Sequence, residues 1–133
     1  MKIGARVCRW GGEEFLLVAD AANAEEAEKT AMSIRRAVRQ TAVTLPGLTG
    51  DQPQDIRTTV SIGFAPINGI EKESGQALWE PAFLIADTLL YRAKSDGRDR
   101  WVGAWTVDDG PTLRPQEILD QIESGDCRIL KNL

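Results

Sequence analysis

Between residues 24 and 42, Ala24, Ala27, Ala31, Ile34 and Val38 recur at steps of three and four, which predicts an amphipathic helix. Glu25, Glu26 and Glu28 fill its first turns, and Arg35, Arg36 and Arg39 fill its last, the charge order that complements a helix dipole. Either Asp20 or Asn23 suits the cap. Residues 57–65 alternate instead. Val60, Ile62 and Phe64 fall on one side and Thr59, Ser61 and Gly63 on the other, so a strand is predicted there. Gly63 in mid-strand signals close approach by a ligand or a neighbouring backbone. A second helix is predicted over residues 81–95, with Pro81 at its first position and Gly97 as its stop. Its inward stripe is Phe83, Ala86, Leu90 and Ala93, widened by Ile85 and Leu89. A strand at 101–105 follows. Residues 45–55 and 66–75, rich in proline, glycine and polar side chains, read as loops.

Near the start, apolar runs at 5–9 and 15–19 flank Gly11-Gly12-Glu13-Glu14, which predicts a β-hairpin. Two readings of its turn stand side by side. One is a tight hairpin with two solvated acids. In the other, glycine lets phosphates approach the main chain, and the paired carboxylates hold a hard divalent cation against a triphosphate. The tail, 106–133, reads as an extension with a hinge at Asp108-Asp109-Gly110-Pro111. A short helix at 115–123 carrying Ile118, Leu119 and Ile122, and a strand at 127–130, are expected within it.

Composition narrows the chemistry. The 133 residues suit one domain, and 42% hydrophobic content argues against disorder. No apolar run reaches membrane-span length and no signal-peptide layout is present. The two cysteines, Cys8 and Cys127, lie far apart without metal spacing, so neither a disulfide framework nor a zinc site is expected and a reducing cytoplasm is the expected setting. A net charge of −4 disfavours a nucleic-acid polymer as partner but permits a small nucleotide held by a few placed cations. The absence of histidine removes Ser-His-Asp and Cys-His machinery and every His-ligated metal site.

Three stretches in series carry a resemblance. Residues 9–15, Arg-Trp-Gly-Gly-Glu-Glu-Phe, resemble the signature hairpin of GGDEF-domain diguanylate cyclases in its Glu-containing variant. Residues 59–65, Thr-Val-Ser-Ile-Gly-Phe-Ala, are similar to that family's next core strand. Residues 86–94 and the following Gly97-Arg98-Asp99-Arg100 resemble its last helix and the Gly-Arg turn behind it. The resemblance spans roughly residues 5–105, and residues 1–105 are taken as a partial GGDEF domain. It implies an α/β fold with a palm-like nucleotide-cyclase (ferredoxin-like) sheet and helices packed on it, here ββαβαβ plus the tail. The implied activity is a nucleotidyl transfer of bacterial signalling, in which two GTP become cyclic di-GMP and two pyrophosphates. Two subunits face each other with one GTP each and two Mg2+ per GTP, so a homodimer is implied.

Residue by residue, the resemblance implies that Gly11 and Gly12 admit the substrate to the backbone. Glu13 is then a metal ligand and acceptor of the 3′-hydroxyl proton, and Glu14 a second metal-site carboxylate. Neighbouring strand residues face opposite ways, so both reach one ligand only if the glycine turn twists the backbone. The resemblance implies that Lys94 and Arg98, four apart at a helix end, bind terminal phosphates; the competing role is a basic terminus complementing the helix dipole. Phe15, Phe64 and Tyr91 are expected in the core, Asp87 in a structural hydrogen bond, and Trp10 packed beside the turn.

The family pattern begins upstream of this hairpin, with a strand bearing a metal-binding Asp and helices bearing the Asn and Asp that read guanine. This chain starts at Met1, directly before the hairpin. The family's Arg-x-x-Asp product site falls on Lys2 and Ala5, so product feedback is not expected. The absent strand lies mid-sheet in the family, between the hairpin and the strand at 57–65. The gap calls for a swapped segment, a strand-complementing partner, the tail's 127–130 run, or closure of the sheet. Weak or absent turnover by the chain alone is therefore expected. The alternatives are a non-catalytic module binding GTP or cyclic di-GMP, and a dimerising interaction fragment.

Overall fold

The computed structural model describes residues 4–47, 52–67, 79–105, 120 and 129–131. It is a mixed α/β structure with small sheets and two helices. Strands β1 (Arg6–Gly11) and β2 (Glu14–Val18) form the hairpin, followed by helix α1 (Ala24–Gln40). Strands β3 (Ala42–Leu45) and β4 (Gln54–Arg57) make a second hairpin, and β5 (Ile62–Phe64) leads to helix α2 (Trp79–Ser95). Strand β6 (Trp101–Ala104) and strand β7 (Ile129–Lys131) complete the order.

Helix α1 starts where its capping chemistry dictates. The Asn23 side chain accepts a hydrogen bond from the Glu26 amide at 2.9 Å, and Glu26 Oε2 accepts one from the Ala22 amide at 2.8 Å. Asn23 is thus the cap, and Asp20 is not. Asn23→Ala is expected to cost about 1 kcal/mol, whereas Asn23→Ser stays within a few tenths. Urea denaturation followed by circular dichroism checks this. On the exposed flank, a hydrogen bond from Lys29 Nζ to Glu25 Oε1 at 2.6 Å, with the pair's opposite charges, holds that carboxyl below its usual range and the ammonium above. The expected apolar face turns inward, with Ala31 buried against Trp101 beside Ala24, Ile62 and Phe64.

Helix α2 lies on the three-stranded sheet. Strand β5 pairs in parallel with β6, and β6 pairs antiparallel with β7. The core here is Ala82, Ile85, Leu89 and Ala93 of the helix with Val102 and Ala104 of β6. Burying Ile85, Leu89 and Val102, the largest fully enclosed side chains, contributes about 1.5–3 kcal/mol each. The buried stripe is rotated by about one residue, on the order of 100°, from the expected one, leaving Phe83, Ala86 and Leu90 only half-buried. Gly63 explains how closely helix and sheet pack. A Cβ there would collide with the Ala86 carbonyl oxygen and the Leu90 amide nitrogen of α2. Of the two readings of that glycine, close approach of a neighbouring backbone is the one realised.

Several expectations are corrected. The stretch 45–55 is not wholly loop, because β3 and β4 pair at its ends, Leu45 opposite Gln54 and Thr44 opposite Asp55. Arg57 Nη1 also ties that hairpin to the Gln40 carbonyl at the end of α1, at 2.9 Å. The strand expected over 57–65 shrinks to Ile62–Phe64, since Arg57 belongs to β4 and residues 58–61 take no strand pairing. Helix α2 begins at Trp79, so Pro81 sits inside its first turn, where its missing amide breaks no intrahelical bond. The tail strand pairs with β6 on the side away from β5, and so does not enter the place beside the hairpin. Among the described residues no strand covers the outer edge of β5. The expected loop at 66–75 is described only through Ile67; the hinge at 108–111, and the tail helix apart from Asp120, lie outside the described residues.

Candidate active site

The first hairpin is irregular at the place the turn chemistry needs. Arg9 pairs with Phe15 and Gly11 with Glu14, so Trp10 is an extra residue that bulges the first strand and adds local twist. Gly12 follows at φ +56°, in the left-handed region where a Cβ is penalised. The Arg9 guanidinium reaches over the turn, Nε and Nη2 both donating to the Gly12 carbonyl at 3.0 and 2.7 Å. This fork fixes the peptide leading into Glu13. Arg9 lies within the motif, but its sequence position alone did not reveal this work.

Glu13 sits exposed in the turn, and Glu14 opens β2. Across from them, Lys94 Nζ in the last turn of α2 lies 3.1 Å from Glu14 Oε1. A hairpin acid and a helix-end cation 80 residues apart therefore share one place. Their side chains keep 43% and 34% of their exposure, so the pair is open to a ligand and contributes little to stability, under about 1 kcal/mol. Arg98 follows α2 in a left-handed turn at φ +61°, its amide bonded to the Ala93 carbonyl at 3.0 Å. Its side chain is exposed and has no hydrogen-bond partner among the described residues.

Trp10 packs as expected. Its ring meets Phe83 at 4.8 Å and Trp79 at 6.3 Å, joining the hairpin to the start of α2. Phe64 is half-buried beside Trp101. Phe15 and Tyr91 are not core: they are 67% and 74% exposed. Phe15 pairs opposite Arg9, and it is Trp10, the bulged residue, that carries the α2 contact. Tyr91 lies two residues from both Leu89 and Ala93, about 200° round the helix from each buried neighbour. Asp87 is exposed, and its side chain makes no hydrogen bond among the described residues.

The donor chemistry can be tested against magnesium. That ion takes one or two protein carboxylates, keeps several waters and completes its shell with substrate phosphates. Adjacent, solvent-accessible Glu13 and Glu14 match such a partial set. Among the described residues no group of three or more His, Cys, Asp or Glu converges, so these residues do not form a closed cage. The residues present fit a magnesium ion shared with a phosphate ligand.

Comparison with known proteins places the chain in a family. The family model for "Diguanylate cyclase, GGDEF domain" matches residues 1–100. The chain belongs to the GGDEF diguanylate cyclase family. It is 39% identical over 101 residues to diguanylate cyclase DgcM of Escherichia coli (strain K12), covering 76% of this chain and 21% of that protein. Diguanylate cyclase DosC of the same strain is 37% identical over 94 residues, 71% of this chain and 18% of that protein. Diguanylate cyclase VdcA of Vibrio cholerae is 35% identical over 99 residues, 73% of this chain and 26% of that protein. The GGDEF chain thus spans about a fifth to a quarter of the length of these relatives. No helix among its described residues is long and apolar enough to cross a membrane.

Proposed function

We propose that this chain is the phosphate-binding side of a diguanylate cyclase domain acting in cyclic di-GMP signalling in the cytoplasm. Residues 1–105 carry the palm-like cyclase portion, and residues 106–133 are an extension. The observation that supports this most is the 3.1 Å pair between Glu14 and Lys94, which joins the signature turn to the end of α2. GTP is the proposed substrate. Gly11 and Gly12 let the triphosphate approach the hairpin backbone, because neither would present a side chain. Glu13 and Glu14 are the residues that would hold Mg2+, which when bound supplies neutralisation of phosphate charge. Lys94 exchanges its Glu14 partner for a terminal phosphate oxygen, and Arg98 offers a planar fork to the same phosphates. Glu13 accepts the 3′-hydroxyl proton at its carboxylate. Phosphoryl transfer of this kind depends on alignment and charge more than on covalent help. Two such units facing each other would join two GTP into cyclic di-GMP with loss of two pyrophosphates.

Isothermal titration with GTP and MgCl2, paired with chromatography of the products, tests the reading. The expected outcome is binding at millimolar GTP or tighter, magnesium-dependent, with little cyclic di-GMP formed by this chain alone. No GTP binding at millimolar concentration overturns the proposal. A second reading, association through strand pairing, is supported by the outer edge of β5, which no strand covers among the described residues. Sedimentation that finds only monomer up to millimolar protein removes it.

A further inference from the structure

Directly after α2, three consecutive residues take left-handed backbone: Gly97 at φ +120°, Arg98 at +61° and Asp99 at +45°. Glycine tolerates this and aspartate partly does, but for arginine the conformation is costly and persists only where surroundings impose it. What imposes it here comes from the other helix. Arg35 of α1 donates through Nε to the Asp99 carbonyl at 2.7 Å and to Asp99 Oδ1 at 2.9 Å, and through Nη2 to Oδ2 at 3.1 Å. Arg39, one turn further along α1, donates to the same Oδ2 at 3.1 Å. The Arg35 contacts are partly buried and span 64 residues of chain. A guanidinium fork gripping carboxylate and main chain together fixes both the position and the orientation of one peptide.

Resting on the phosphate-site reading above, we infer that Arg35 is a positioning residue: through Asp99 it holds the left-handed turn that presents Arg98 to the terminal phosphates. Arg98 has no side-chain hydrogen bond of its own among the described residues, so its placement depends on its backbone. That backbone is held at one end by its amide bond to Ala93 and at the other by the Arg35–Asp99 fork. Lysine at position 35 can reach one carboxylate oxygen but cannot hold carboxylate and carbonyl in one plane. It should restore only part of the effect.

The test is a set of equilibrium titrations with Mg–GTP and with GMP on the 133-residue chain, comparing wild type, Arg98→Ala, Arg35→Ala, Arg35→Lys and the Arg35→Ala/Arg98→Ala double variant. Arg35→Ala is expected to weaken Mg–GTP by about tenfold while leaving GMP unchanged. The double variant should bind Mg–GTP no more weakly than Arg98→Ala alone, because both changes remove one contact. Arg35→Lys should fall between wild type and Arg35→Ala. The inference is overturned if wild type prefers GTP to GMP yet Arg35→Ala leaves that preference intact, or weakens both nucleotides equally, or adds its full factor to Arg98→Ala. A wild-type chain with no preference for GTP over GMP removes the phosphate site itself, and this outcome is read before any variant is made. If circular dichroism finds Arg35→Ala unfolded, the same comparison is made on Arg35→Lys and Asp99→Asn.

Discussion

Gly63→Ala lowers the stability of the chain by about 3 kcal/mol, a fall of on the order of 10 °C in its thermal midpoint. The reason is that the added carbon meets backbone, which cannot rotate aside. The Ala86 carbonyl oxygen and Leu90 amide nitrogen occupy its space, and Leu90 Cα lies 2.9 Å from it. Relief requires α2 to lift from β5, and lifting it opens the core around Ile85, Leu89 and Val102. The cost therefore includes lost burial as well as overlap. Gly11→Ala is the internal comparison. A Cβ there has nothing within 4 Å, so its midpoint should stay within a few degrees of wild type. Differential scanning calorimetry of both variants decides the matter, and a Gly63→Ala midpoint equal to that of Gly11→Ala would contradict the packing described.

Glu14→Lys separates binding from stability. The Glu14–Lys94 pair is exposed enough that losing it changes stability by less than about 1 kcal/mol, because two like-charged side chains swing apart into water. The loss of Mg–GTP binding should be far larger, at least about 100-fold. The substitution removes a proposed magnesium donor and places a cation where the ion would sit. The charge-swapped double variant, Glu14→Lys with Lys94→Glu, sharpens the distinction. It restores an ion pair between hairpin and helix but moves the carboxylate off the turn that carries Glu13. Stability should return to the wild-type value while Mg–GTP binding stays lost. Recovery of nucleotide binding in the swapped protein would mean that the pair is a strut and not a phosphate site.

Local order in the chain accounts for much of this architecture. The charge gradient and apolar spacing of α1 place it within two residues of its observed end, and its inward face is the expected one. The glycine turn, the stop at Gly97 and the strand at Trp101–Ala104 follow from backbone preferences of a few neighbouring residues. The second hairpin was hidden for the opposite reason. Its strands, Ala42–Leu45 and Gln54–Arg57, are exposed along their length, so they carry no alternation that burial would have imposed. Helix α2 is apolar over too wide an arc for spacing to say which stripe faces the sheet. The backbone contact at Gly63 is where the observed orientation is tightest.

The site divides along the same line. Gly11, Gly12, Glu13 and Glu14 are neighbours, and their turn is legible from order alone because a chain reversal depends on four residues. That Lys94 meets Glu14, and that Arg35 grips Asp99, are contacts across 80 and 64 residues. Interactions within one turn of helix or one hairpin are set by residues that cannot leave one another's company. Contacts across two elements depend on the angle and depth at which those elements pack, and here the missing side chain of Gly63 allows α2 to lie directly on the sheet that orders them.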